Sequence, residues 1–148
     1  MENNLFNTAF EMELRITVLL AADDSSIYSV GRILSLDFIA CYAEKFGFAD
    51  TNLHGDNAYM FCELSTRRAL IQEAIKSLVL QGIIDVILKD GYLYRITEIG
   101  KRLSLSLESE YAKEYRDIVG NVIKEFGNYS DEQLIQMIQF KSDTKKEE

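Results

Sequence analysis

Apolar residues recur along this chain in two rhythms, one helical and one strand-like, and the points where the rhythm changes mark its elements. Asn7-Thr8-Ala9-Phe10-Glu11 sets a capping residue before an apolar run, so a helix is expected to start there. Phe10, Leu14, Val18 and Ala21 follow at helical spacing, and Asp23-Asp24-Ser25-Ser26 stops the run. Ile27–Val30 is short and β-compatible, a candidate first strand. A second helical pattern covers residues 31–46, with Ile33, Leu36, Ile39 and Ala40 as its stripe and Gly47 as its stop. Residues 48–61 carry Asp, Asn, Gly and His without periodicity and predict a long irregular connection, the kind of segment that tends to carry function.

The clearest pattern comes next. Ser65-Thr66-Arg67-Arg68 opens a helix over residues 66–81 whose apolar residues Ile71, Ala74, Ile75 and Leu78 form one stripe, and Gly82 ends it. Ile83–Leu88 and Tyr92–Ile96 are strand-like, and the Asp90-Gly91 pair between them signals a hairpin because Gly accepts the positive φ that the turn demands. Thr97 caps a further helix. Beyond it, Leu103 and Leu107 continue the line, and Tyr111, Tyr115, Ile118, Val122 and Phe126 form another stripe. Ser104–Phe126 thus reads as one long helix. Ser130-Asp131-Glu132-Gln133 caps a last helix carrying Leu134, Ile135, Met137 and Ile138.

Two helices, then helix, hairpin and helix, is the order of a winged helix. The expected fold is mainly α with a small β-hairpin wing: a winged-helix domain over residues 5–103, a helical extension packed on it over 104–140, and a disordered charged tail over 141–148.

At 148 residues the chain suits one domain with one core. Proline is absent, so helices can run uninterrupted. The formal net charge is −8, which disfavours unaided nucleic-acid binding, since phosphate neutralisation supplies most of that affinity. Cys41 and Cys62 have no C-x-x-C spacing and read as buried thiols of a reducing compartment. The N-terminal residues lack a signal-peptide pattern, and the apolar run Ile16–Ala22 is far shorter than the roughly 20 residues a membrane span needs. The expected setting is cytoplasmic, with no membrane contact.

Candidate chemistry is sparse. His54 is the one histidine, too little for a nucleophile–base pair or a zinc site, so no catalytic residue and no metal ligand is expected. No phosphate-cradling glycine motif is present, so no nucleotide cofactor and no small-molecule substrate is expected either. Leu53-His54-Gly55-Asp56-Asn57 is either a tight turn or a recognition loop. Arg67-Arg68 stands at a helix start, where cations are disfavoured. An internal ion pair with Asp56 or Glu63 accounts for the pair most simply, and a grip on an acidic partner or phosphate is the alternative. The outer face of the 66–81 helix, with Ala69, Glu73, Lys76 and Leu80, is poorly suited to a major groove, and it reads as protein-binding.

The stretch from Phe46 to Ile87, with its Asn52–Asn57 string and Arg67-Arg68, resembles the middle component of bacterial ABC three-component systems, also called Lamassu-type anti-phage and anti-plasmid defence. LFNTAFEMELRITVLL and SLESEYAKEYRDIV are similar too, so the resemblance spans roughly Leu5 to Phe140. It implies a small non-catalytic adaptor joining an SMC- or Rad50-like ATPase to an effector, often a nuclease, with DNA contacted mainly through the complex. Leu53, His54, Gly55, Asp56, Asn57, Arg67 and Arg68 would then meet partners. The rival is a stand-alone winged-helix transcriptional regulator, dimerising along residues 104–126.

Overall fold

The computed structural model describes residues 8–48 and 64–147, with side chains described through Lys141. Within them, six helices and one hairpin follow in the order α1 (Ala9–Ala22), α2 (Val30–Cys41), α3 (Leu64–Leu80), β1 (Ile84–Leu88), β2 (Tyr92–Ile96), α4 (Glu98–Ser106), α5 (Glu110–Phe126) and α6 (Asp131–Glu147). The architecture is mainly helical with a two-stranded antiparallel sheet.

Five of the six described helices start at a local chemical cap. Thr8, Ser29, Thr97 and Ser109 hold extended backbone, and each accepts with its hydroxyl from the amide three residues on. Ser130 and Gln133 form a reciprocal capping box: the Gln133 amide donates to Ser130 Oγ at 3.1 Å, and the Ser130 amide donates to Gln133 Oε1 at 2.8 Å. Helix α2 ends at Cys41, earlier than its periodicity suggests. The chain continues through tight turns over residues 42–47 in which the Lys45, Phe46 and Gly47 amides each donate three residues back, and Gly47 takes φ 82°. Phe46 stays buried all the same, so the apolar stripe outlasts the helix.

Helices α1 and α2 are central. Residues 15–20 and 33–43 are buried without interruption, the mark of helices surrounded on all sides. The α3 stripe of Ile71, Ala74, Ile75 and Leu78 packs on them, as do Tyr115, Val119 and Val122 of α5 and Leu134 and Ile138 of α6. Residues from 104 onward therefore share a single core with those before them. The expected continuous helix over 104–126 is corrected. Ser109 caps a new helix, while Arg116 donates to the Ser104 and Leu107 carbonyls at 2.7 and 3.0 Å and so satisfies the end of α4. At the other end, α6 stays helical through residues 141–147, where composition led us to expect disorder.

The hairpin pairs Ile84 with Ile96, Val86 with Tyr94 and Leu88 with Tyr92, and the turn holds Asp90 at φ 53° and Gly91 at φ 116°. The β-compatible stretch after α1 contributes a single bridge, Tyr28 to Tyr94, instead of a strand. Helix α4 lies so close to the hairpin root that a Cβ on Gly100 would collide with the Ile83 carbonyl oxygen and the Ile96 side chain. Thr97 secures that corner, its hydroxyl donating toward the Gly82 and Ile83 carbonyls at 2.7 and 2.9 Å.

Candidate protein interface

A carboxylate lies at the centre of the core. Asp37 of α2 is 1% exposed, and side chains from three other helices converge on it. Arg15 Nε of α1 donates to Oδ1 at 2.8 Å, Arg67 Nη1 of α3 donates to Oδ2 at 2.9 Å, and Tyr115 Oη of α5 donates to Oδ1 at 2.8 Å. Arg15 Nη1 also reaches Tyr111 Oη at 3.1 Å, and Cys41 Sγ lies 3.6 Å from Arg67 Nη1. The Arg67 guanidinium lies over the rings of Phe38 and Tyr42 at 5.8 Å each.

Burial by itself would raise the pKa of Asp37. The two guanidiniums and the hydrogen bonds from Arg15 and Tyr115 outweigh it and hold the carboxyl well below the usual carboxylate range. Burial likewise opposes charge on Arg15 and Arg67, yet the surrounding anionic and polarisable groups keep both firmly protonated. The Cys41 thiol is buried, and burial chiefly pushes it up to about 11, which disfavours the thiolate. The cluster has no opening to solvent at Asp37, and its chemistry is the joining of α1, α2, α3 and α5 at one point.

Of the residues singled out in the sequence, Arg67 and Arg68 part company. Arg67 is 1% exposed and takes an internal ion pair with Asp37; Asp56 and Glu63 lie outside the described residues. Arg68 points the other way and is exposed, at the rim of a groove of about 200 Å³ between α2, α3 and α6 that is lined by Leu34, Leu64, Ile135 and Ile138. Leu53, His54, Gly55, Asp56 and Asn57 lie outside the described residues. Arg15, Asp37 and Tyr115 were missed. The signal was present: a lone cation in MELRITVLL and a lone anion in ILSLDFIACY, each inside an apolar helix where charge needs a partner.

The outer surface reverses the interior. Val86, Leu88 and Tyr92 share one face of the hairpin and are 45%, 76% and 65% exposed. The exposed charges of α3 are Arg68, Glu73 and Lys76, with Leu70 and Leu80 beside them, which leaves no cationic ridge along that helix. Among the described residues, no group of three or more His, Cys, Asp or Glu is placed to hold a metal ion. Among them, too, no helix is long and apolar enough to cross a membrane.

These features define a small helical domain with one exposed apolar face on its hairpin and a buried charged centre that joins four helices. The chain belongs to the ABC-three component (ABC-3C) system Middle Component 2 family, whose model matches residues 5–148. No curated protein and no solved structure matches it.

Proposed function

We propose that this chain is a non-catalytic adaptor of a bacterial defence complex, a winged-helix domain that bridges an SMC- or Rad50-like ATPase and an effector, often a nuclease. Its family supplies the system, and its name implies other components beside it. The observation that carries the adaptor reading is the exposed apolar face of the hairpin next to a mixed-charge α3. A wing that met a duplex unaided would carry cations where this one carries Val86, Leu88 and Tyr92. DNA is then met mainly through the complex, in the cytoplasm, and no cofactor takes part.

Partner contacts on this reading include the segment 53–57 and Arg68, while Arg67 acts from inside by fixing the start of α3. Co-expression with the ATPase and effector of the same system tests it, and a purified complex of all three is the expected result. Arg68→Glu should weaken that complex without lowering the melting temperature of the isolated chain, whereas Arg67→Glu should lower it. A chain that purifies alone and shifts a specific duplex, with affinity falling steeply as salt rises, would instead establish the stand-alone regulator.

A further inference from the structure

A hairpin has two outer edges, and here one of them is taken. The Tyr28 amide donates to the Tyr94 carbonyl at 2.8 Å and the Tyr94 amide returns the bond at 2.8 Å, so the backbone groups of Tyr94 face away from β1. Val86, opposite Tyr94, therefore sits in a pair without ladder hydrogen bonds. Both ends of the hairpin agree with that phase: the Thr97 amide donates to the Ile83 carbonyl at 3.1 Å, and the Lys89 amide to the Gly91 carbonyl at 2.9 Å. Asp85 and Ile87 thus turn their backbone groups to β2, and Val86 and Leu88 turn theirs outward. Among the described residues no strand pairs with that edge.

The side chains fit the same picture. Val86, Leu88 and Tyr92 stand together on one face, while the charged pair Asp85 and Arg95 lies on the other, 4.0 Å apart. Unpaired edges of soluble proteins are ordinarily blunted by charge, proline or a bulge. This one offers two apolar positions and four backbone groups.

We propose that the outer edge of β1 takes an extended segment of another subunit as a third strand, with apolar side chains at alternate positions resting on Val86, Leu88 and Tyr92. The proposal rests on the adaptor reading and names one of its contacts. A second copy of this chain is the poorer occupant. The three side chains offer roughly 300–400 Å², against the roughly 800 Å² per partner of a stable pairwise interface. A net charge of −8 also opposes self-association. A short strand from a partner that is held elsewhere as well meets both limits.

The test uses the full chain co-expressed with the ATPase and effector subunits of its system. Val86→Pro removes one outward amide and leaves the β1–β2 bonds in place, since proline is tolerated on an edge. Leu88→Lys removes the apolar contact. Each variant should capture one of the two subunits at least roughly tenfold less well than the unaltered chain. In the unaltered complex, the Val86 and Leu88 amides should exchange hydrogen at least roughly tenfold more slowly than in the chain alone. Should Val86→Pro fail to fold, Leu88→Lys and the exchange measurement decide the matter. Undiminished capture with unchanged exchange at those two amides overturns this contact and leaves the adaptor standing. An unaltered chain that captures neither subunit overturns both. A homodimer in sedimentation equilibrium that Val86→Pro dissolves would hand the edge to a second copy and overturn the proposal.

Discussion

The centre of the helical body and the tip of the hairpin invert one another. Around Asp37 three charged groups lie where apolar side chains are the rule, and at Val86, Leu88 and Tyr92 apolar side chains lie where water is. The buried charges are paired within the chain, each with named partners from other helices, so they specify how those helices meet. The exposed apolar residues gain nothing from the isolated fold. A charge inside therefore marks architecture in this protein, whereas the apolar face of the hairpin contributes little to the isolated fold.

Substitution should separate the two regions sharply. Asp37→Ala strands Arg15 and Arg67 in the core and should cost about 3–5 kcal/mol, read as a lowered midpoint in urea unfolding. A loss under about 1 kcal/mol would mean the cluster is incidental to stability. Acid tests the same residue. Because its pKa is depressed on folding, Asp37 contributes stability that is fully present above its unfolded value near 3.8 and is lost as pH falls below it. The gap in stability between the unaltered chain and Asp37→Asn should thus hold steady from neutral pH down to about 5 and narrow only below about 4.

Gly100→Ala probes the border between helical body and hairpin. The added methyl meets a backbone carbonyl that cannot swing aside, so a cost of about 1–3 kcal/mol is expected by thermal unfolding. An unchanged transition would show that α4 can back away from the hairpin root. The smallest effect belongs to the hairpin tip. Leu88→Lys should move the stability of the isolated chain by no more than about 0.5 kcal/mol, because the side chain it replaces is already in water. A larger drop would show that the tip serves the fold after all.

Much of the framework was legible in the sequence because it rests on local chemistry. The Ser130–Gln133 capping box, the Asp90-Gly91 turn and the stop at Gly82 each depend on a few neighbouring residues, and the structure has all three. Phe10 shows the limit of a stripe. It keeps helical spacing with Leu14 and Val18, yet it is 71% exposed, so spacing alone did not tell which positions of the stripe are covered. Arg67 shows the other limit. Its place at a helix start made an internal ion pair the simplest account, and a partner that no local pattern pointed to, Asp37, lies thirty positions earlier in the sequence.

The sequence by itself determined where most helices begin and end, that two strands fold back on each other, and that Arg15 and Asp37 stand in apolar surroundings. Spacing and side-chain chemistry act over a turn or two of chain, and they are complete at that range. Only the tertiary structure decided that those two charges meet each other and Arg67, that α5 closes over them with Tyr115, and that β1 keeps an open edge among the described residues. Such pairings depend on the directions in which whole helices approach, and no local pattern encodes a direction.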